Sequence, residues 1–187
     1  YNALVGYNKV LQERNALLKS RRMDRNVLDI YDVKLAEYGS YIVKQRINYV
    51  ALLNTHGKPI HYEITTGKEE IDYEYKCSFS LEGDLKENLR KELYRKRDTD
   101  IERGTTSSGV HRDDFTIHIN GIDAKDFGSQ GQQRTSVLTM KFASLEIIKK
   151  LKGEYPLLLL DDVLSELDLS RKKFILKSIE NIQTVIT

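Results

Sequence analysis

Four consecutive leucines followed at once by two aspartates constrain the fold of this chain more than any other stretch. Residues 157–160 follow Pro156 without a polar residue among them, so this segment cannot alternate between a buried and a wet face. The run therefore predicts a strand buried on both faces, as in the middle of a parallel sheet. Because burying an unpaired carboxylate is costly, Asp161 and Asp162 at the end of this strand require a cation or a polar ligand.

Upstream, a segment rich in serine, glycine and glutamine lies where a loop is predicted to become a helix. Residues 129–133 read Ser-Gln-Gly-Gln-Gln and precede an apolar helical periodicity. A helix start presents free backbone N–H groups and a partial positive charge, which suit a phosphate. Gly131 would let the backbone approach such a ligand closely, and the Ser129 hydroxyl can donate to a phosphate oxygen. The same serine can be an ordinary helix N-cap, and these residues alone leave both interpretations open.

The amino-terminal periodicities predict a lobe formed by a helical hairpin, followed by strands. Two amphipathic helices, over residues 1–20 and 27–54, are predicted to pair antiparallel, with Gly-Lys-Pro at 57–59 ending the second. Alternating apolar residues over 71–79 and 115–119 predict half-buried strands.

The last third of the chain alternates between strands and helices, which predicts the α/β class with a parallel sheet. Asn-Gly at 120–121 favours a hairpin turn. A helix over 170–180 separates the leucine strand from a strand at 184–187, and such a crossover is right-handed. We expect two domains. One is a helical lobe over 1–100 that includes a half-buried strand and a surface helix, and the other is the end of the main α/β lobe over 101–187.

Composition narrows the class of partner and setting. The net charge of +2 creates no overall field that demands a polyanionic partner. The single cysteine, Cys77, excludes an internal disulfide and fits a reducing, cytoplasmic setting. No apolar run is long enough to cross a bilayer, so no membrane association is predicted. The chain begins at Tyr1 without a methionine and ends in an apolar run, and we expect it to be a fragment.

Two motifs in this order resemble a known family. Residues 128–135 (Gly-Ser-Gln-Gly-Gln-Gln-Arg-Thr) and 159–168 (Leu-Leu-Asp-Asp-Val-Leu-Ser-Glu-Leu-Asp) resemble the signature, Walker B and D-loop motifs of an ABC-type ATPase head, a P-loop NTPase fold. With His-Arg-Asp-Asp at 111–114 and Glu-Arg-Gly at 102–104, the chain is similar to the RecF family of bacterial recombination mediators. The resemblance is close from about Ile101 onward and looser before it. It implies that the chain is roughly the carboxyl-terminal half to two-thirds of such a protein.

The resemblance assigns roles to individual residues. Asp161 matches the residue that holds Mg²⁺, and Asp162 matches the catalytic acid that orients the attacking water. Most ABC ATPases have a glutamate at the second position, and the shorter acid is expected to suit slow, regulatory hydrolysis. Thr187 lies near the switch position. The residues implied to contact ATP across a dimer are Ser129 and Gly131 at the γ-phosphate, Gln132, Gln133, Arg134, and the D-loop acid Asp168.

The family's function follows as an expectation. The resemblance implies a homodimer that forms on ATP, uses Mg²⁺, binds gapped or duplex DNA and, with RecR and RecO, helps to load RecA. The candidate contacts to the DNA backbone form a short basic run, which can equally be a solvated helix turn. These candidates are Lys19, Arg21, Arg22 and Arg25.

The histidines are less informative than the acids. His111, with Asp113 and Asp114, could form a metal site, but no further ligands occur at suitable spacing, which favours a structural or nucleotide-proximal role. His56 and His61 flank the predicted turn and are expected to be solvated.

Two departures from the family pattern are visible. The sequence contains no G-x-x-x-x-G-K-S/T loop, which supplies the phosphate cradle and its lysine, so the chain is expected to be inactive as an ATPase by itself. Val110 stands where the family usually has proline. The alternatives are another ABC-type head or a non-catalytic fragment that docks RecR. Gln130 and Asp162 disfavour a transporter motor, and the helices over 1–54 are too short for an SMC-like head.

Overall fold

The computed structural model describes residues 1–20, 24–161 and 168–187. The helices in these ranges are α1 (Asn2–Leu18), α2 (Arg25–Ile64), α3 (Leu85–Arg95), α4 (Arg97–Arg103), α5 (Ala124–Phe127), α6 (Gln130–Lys152) and α7 (Leu169–Ser178). The strands are β1 (Ile71–Lys76), β2 (Asp114–Ile119), β3 (Ile122–Asp123), β4 (Leu158–Leu160) and β5 (Thr184–Ile186). The predicted α/β class is confirmed.

The chain divides into two compact units. Unit 1 comprises Tyr1–Asn48 and Tyr75–Phe115, and unit 2 comprises Tyr49–Glu74 and Thr116–Thr187. Helix α2 and strands β1 and β2 contribute residues to both units. These two units have different bounds from the two domains expected on either side of residue 100. The expected domain boundary stays a prediction.

Unit 1 contains the predicted helical hairpin. Arg14 on α1 pairs with Asp32 on α2 at 2.7 Å, and a Cβ on Gly6 would lie 2.7 Å from the ring of Tyr38. From Arg14 back to Gly6 along α1, the contacting residue on α2 moves forward from Asp32 to Tyr38. The two helices therefore run antiparallel, as expected. The buried core of this unit consists of Tyr7, Val10, Leu35, Ala36, Ile42, Val43, Phe79, Leu89, Leu93 and Val110.

Helix α2 continues past its predicted end. It runs through Gly57 and Pro59 to Ile64, so the expected stop at 57–59 is wrong. Pro59 removes one helical hydrogen bond, but the buried side chains of Leu53 and Ile64 on either side keep the helix packed. Gly57 allows the Tyr73 ring to pack closely against α2, because a Cβ at this position would lie 2.8 Å from that ring.

Helix α2 ends instead at a glycine in the left-handed region. Gly67 has φ +76°, and its N–H donates to the Tyr62 carbonyl at 2.8 Å. This i to i−5 bond is typical of a Schellman stop. The last turn of α2 also carries His61, which is fully buried, so the expectation that this histidine is solvated is wrong.

Strands β1, β2 and β3 form one sheet in that order. Strands β2 and β3 pair antiparallel, with His118 opposite Asp123 and Ile119 opposite Ile122. The turn between them has φ of 50° at Asn120 and 78° at Gly121, which fits the predicted Asn-Gly hairpin.

In unit 2, β4 and β5 form a parallel pair joined through α7. Leu158 lies opposite Thr184 and Leu160 opposite Ile186, so the predicted strand–helix–strand order is confirmed. The core around this pair consists of Ile64, Leu138, Phe142, Leu145, Leu160, Ile175 and Ile182.

The leucine strand is covered on one side only. Leu160 is 3 % exposed, whereas Leu157 is 54 % and Leu159 67 % exposed. The expectation of a strand buried on both faces is therefore wrong for the described residues, because their parallel sheet has two strands and its covering helices pack on one face. Among the helices of the described ranges, none combines the length and apolarity needed to span a membrane.

Candidate functional site

Helix α6 begins with a reciprocal capping box. The Ser129 Oγ accepts from the Gln132 backbone N–H at 3.2 Å, and the Gln132 side-chain Oε1 accepts from the Ser129 N–H at 2.9 Å. Ser129 is exposed, and a hydroxyl that accepts a hydrogen bond keeps its own hydrogen for donation. The N-cap interpretation is thus correct, and it leaves the serine able to donate to a ligand.

The turn before α6 is closed by backbone contacts. A Cβ on Gly128 would lie 2.4 Å from the Ala124 carbonyl oxygen, so only glycine fits there. The Gln133 amide donates to the carbonyls of Ala124 at 3.0 Å and Lys125 at 3.1 Å. Gln133, expected to continue the ligand-contacting motif, is therefore used to hold this turn.

Gly131 has open space above it. The nearest atoms to a Cβ built on Gly131 lie at 3.9 Å and belong to the Arg171 guanidinium and the Ser129 Oγ. Packing therefore does not require a glycine at this position, and the room over the backbone is available for close approach of a ligand. Gln130 and Arg134, on the first turns of α6, are exposed.

The first acid of the pair lies at the carboxyl end of β4. Asp161 is exposed, and its Oδ1 accepts from the Thr187 hydroxyl at 2.6 Å. The Thr187 N–H donates to the Leu160 carbonyl at 3.1 Å. The parallel register thus brings Asp161 and Thr187 together. The second acid, Asp162, lies outside the described residues.

Asp168 caps helix α7. Its Oδ1 accepts from the Arg171 N–H at 2.9 Å, and its Oδ2 pairs with the Arg171 guanidinium at 3.0 Å. That guanidinium and the Ser129 Oγ are the two groups that lie 3.9 Å from a Cβ built on Gly131. The sequence analysis missed Arg171, because a basic residue three positions after a cap signals only a local helix pair.

The described candidates for DNA contacts, Lys19 and Arg25, belong to unit 1. Lys19 is exposed at the end of α1, and Arg25 is exposed with its guanidinium 3.4 Å from Asp98. Arg21 and Arg22 lie outside the described residues.

The His-Arg-Asp-Asp motif is engaged in structural contacts. His111 bonds the Tyr7 hydroxyl at 2.9 Å and the Thr106 carbonyl at 3.1 Å, and burial lowers its pKa. The Asp113 carboxylate accepts from the Tyr75 hydroxyl and from the Ser78 N–H. These contacts favour the structural role that was preferred over a metal site.

The described acids offer few ligands for a divalent metal ion. Within residues 1–20, 24–161 and 168–187, no group of three or more His, Cys, Asp or Glu side chains is placed to hold a metal ion. Magnesium in nucleotide sites is usually bound by one or two carboxylates together with phosphates and waters. A single exposed carboxylate at a strand end, Asp161, fits that donor set.

The parallel β4–α7–β5 unit and the serine-capped α6 form part of an ABC-type ATPase fold. No family model matches the chain. The chain is 59% identical over 188 residues to the DNA replication and repair protein RecF of Clostridium beijerinckii, covering 100% of this chain and 51% of that protein. RecF of Clostridium perfringens is 57% identical over 187 residues, covering 100% and 52%.

Solved structures agree with these relatives. A structure described as the recombination mediator protein RecF-ATP in the RecFOR pathway matches with a TM-score of 0.89 and 40% identity, over 99% of this chain and 52% of that one. A RecF-ATPrS structure matches equally well, with a TM-score of 0.89. The chain is similar to RecF proteins along its whole length, and it spans about half the length of the relatives it matches.

Proposed function

We propose that this chain supplies the signature side of an ATP-dependent head, facing the γ-phosphate of an ATP held by a second copy. The observation that carries the proposal is the exposed Ser129 cap beside the open backbone at Gly131. A helix start of this kind binds phosphate through N–H groups and the helix dipole. The matching structures described as RecF-ATP support ATP as the ligand.

The acids at the end of β4 complete the proposed chemistry. Asp161 would hold Mg²⁺, with its carboxylate oriented by the Thr187 hydroxyl at 2.6 Å. The bound metal supplies charge neutralisation between phosphate oxygens. Asp162 is proposed as the acid that orients the attacking water, and its short side chain suits slow turnover. Arg134 and Asp168 are proposed to lie along the same dimer face. Since the sequence has no G-x-x-x-x-G-K-S/T loop, other residues must provide the phosphate cradle.

For the whole protein we propose a recombination mediator that dimerises on ATP and binds gapped or duplex DNA. RecR and RecO are the proposed partners, and RecA loading is the proposed outcome, in line with the RecFOR description of the matching structure. Lys19 and Arg25, both exposed, are the described candidates for DNA phosphate contacts.

The test separates the cap from the phosphate contact. Ser129→Asp keeps a good N-cap but places a carboxylate against the phosphate. In the full-length RecF-family protein, we expect an unchanged thermal midpoint and at least about a tenfold loss in ATP-dependent dimerisation, measured by sedimentation, since a desolvated like-charge contact exceeds 1.4 kcal/mol. Asp84→Ser, which exchanges cap types at α3, is the matched control and should dimerise normally. Normal dimerisation of Ser129→Asp would refute the proposal.

A further inference from the structure

We propose that Glu69 is a positioning residue for the signature helix: its carboxylate orients the Gln132 amide, which in turn holds the Ser129 cap. This inference rests on the proposed function, because it names the group that sets the geometry of that site. Glu69 lies in the segment between α2 and β1, and no sequence motif drew attention to it.

The Gln132 side chain faces two partners at once. Its Oε1 accepts from the Ser129 N–H at 2.9 Å, and its Nε2 donates to the Glu69 Oε1 at 3.1 Å. The oxygen and nitrogen of a glutamine amide have almost the same shape, so packing alone does not decide which one points where. An ionised carboxylate can only accept hydrogen bonds. Glu69 therefore turns the amide nitrogen toward itself and leaves the oxygen for Ser129.

A buried histidine lies close to the other carboxylate oxygen of Glu69. The Glu69 Oε2 lies 3.4 Å from the Nε2 of His61, whose side chain is fully buried. In the described part of the chain, neither of these two buried atoms has a hydrogen-bond partner, so the two groups lie close together without a hydrogen bond between them. The Nδ1 of His61 lies 2.9 Å from the Thr139 hydroxyl on α6.

The surroundings of His61 select one arrangement of protons. Burial lowers the pKa of His61, Glu69 opposes this shift, and the positive charge of Arg171 adds to it. The Thr139 hydroxyl donates its single hydrogen to the Thr135 carbonyl at 2.9 Å, so it accepts from the His61 Nδ1–H. The hydrogen-bonded chain runs from Glu69 through Gln132 to Ser129.

The backbone around Glu69 is also anchored. The next residue, Glu70, donates its N–H to the Asn120 side chain at 2.8 Å, and its carbonyl accepts from the Asn120 N–H at 2.9 Å. The Asn-Gly hairpin thereby places Glu69, which is 20 % exposed at its side chain. A carboxylate that is placed by this turn and lies against the buried His61 ring is a rigid support for Gln132.

Three variants of the full-length protein test the positioning role. Glu69→Ala removes the acceptor, Glu69→Gln keeps an acceptor oxygen for Gln132, and Glu70→Ala removes an exposed neighbouring acid as a control. We expect about a tenfold weaker ATP-dependent dimerisation for Glu69→Ala, the cost of one charge-assisted hydrogen bond. Glu69→Gln should recover most of the loss, and Glu70→Ala should match the unaltered protein.

The decisive measurement compares dimerisation with ATP affinity of the monomer, obtained by titrating a fluorescent ATP analogue at low protein concentration. A positioning role predicts weaker dimerisation with unchanged monomer affinity and far-UV circular dichroism. Normal dimerisation of Glu69→Ala, equal losses in both measurements, or failure of Glu69→Gln to recover would each overturn it.

Ser129→Asp, measured in parallel, keeps the two ideas separate. If Ser129→Asp dimerises normally, the proposed function fails. If Ser129→Asp loses dimerisation while Glu69→Ala behaves like the unaltered protein, only the role of Glu69 fails.

Discussion

Unit 1 contains a buried cluster of charged side chains, whereas unit 2 exposes polar side chains at the ends of two of its elements. In unit 1, Arg14 is fully buried and pairs with Asp32 at 2.7 Å and Asp100 at 2.8 Å. In unit 2, Ser129 and Asp161 are exposed at the ends of secondary-structure elements. Buried charges must be satisfied internally, whereas exposed polar groups at a helix start or strand end remain accessible to ligands. The contrast separates residues that hold the fold from residues placed for function.

The buried cluster of unit 1 ties a loop to the helical hairpin. The Arg14 guanidinium also donates to the Thr106 hydroxyl at 2.8 Å, and Asn15 accepts from the Thr106 N–H at 2.8 Å. Asp100 accepts from the Ser107 N–H at 2.9 Å. Residues 104–109 (Gly-Thr-Thr-Ser-Ser-Gly) have the composition of a flexible linker. These contacts nevertheless make them a fixed part of unit 1.

The largest effect is expected from removing the buried cation. Arg14→Ala leaves Asp100 buried without its cation, whereas Asp32 keeps an ion pair with Arg97 at 2.7 Å. Breaking a buried pair in this way costs about 3–5 kcal/mol. Urea unfolding followed by circular dichroism measures the loss. Arg95→Ala, which removes an exposed arginine that pairs with Glu92, is the control and should leave the unfolding midpoint unchanged. If both variants unfolded at the same urea concentration, unit 1 would not depend on its buried charges.

A smaller effect distinguishes two glycines at the start of α6. Gly128→Ala pushes a methyl group to 2.4 Å from the Ala124 carbonyl oxygen, and such overpacking costs about 1–3 kcal/mol. Gly131→Ala meets nothing closer than 3.9 Å and should keep or slightly raise stability, by up to about 0.5–1 kcal/mol.

The same pair of glycines sharpens the functional side of the comparison. Despite its stability, Gly131→Ala should weaken ATP-dependent dimerisation, since its methyl group occupies the space above the helix start. Thermal melts and sedimentation of the two variants give both readouts. A Gly131→Ala protein that is stable and dimerises fully would show that this space is not used.

The smallest effect concerns pH and appears in both units. Burial lowers the pKa of His61 in unit 2 and of His111 in unit 1, so the folded chain binds a proton on each ring less readily than the unfolded chain does. Below the unfolded pKa of about 6.5 the unfolded chain binds protons that the folded chain does not, so the unfolding free energy falls as the pH drops. Each histidine contributes a slope of up to about 1.4 kcal/mol per pH unit.

Urea unfolding at pH 7.5 and pH 5.5 measures this dependence. His61→Gln and His111→Gln should each reduce the loss of stability between the two pH values. His56→Gln is the control, and an equal reduction in that variant would contradict the assignment to the two buried rings.

Local patterns predicted much of the fold. The N-cap at Ser129, the Asn-Gly hairpin and the order of strand, α7 and strand all depend on residues close together in sequence. Short-range chemistry specifies them, because capping, turn geometry and helical periodicity act within a few residues. The signature-type and acid-ended strand motifs were recognisable for the same reason.

Long-range contacts account for the errors. Gly57 and Pro59 predicted a stop, yet packing carries α2 through them to Ile64. His61 was expected to be solvated because it adjoins a predicted turn, but the continued helix buries it. Leu159 was expected to be buried, and its exposure depends on how many strands and helices cover the sheet. None of these outcomes is encoded in the neighbouring residues alone.

The sequence by itself therefore determined the resemblance to RecF, the α/β class and the segments that present Ser129 and Asp161. Only the tertiary structure decided that Glu69 faces Gln132 across 63 positions of chain and that Thr187 meets Asp161 across 26. The physical reason is that hydrogen-bond partners and burial depend on which distant elements pack together, whereas caps, turns and periodicity depend on neighbours.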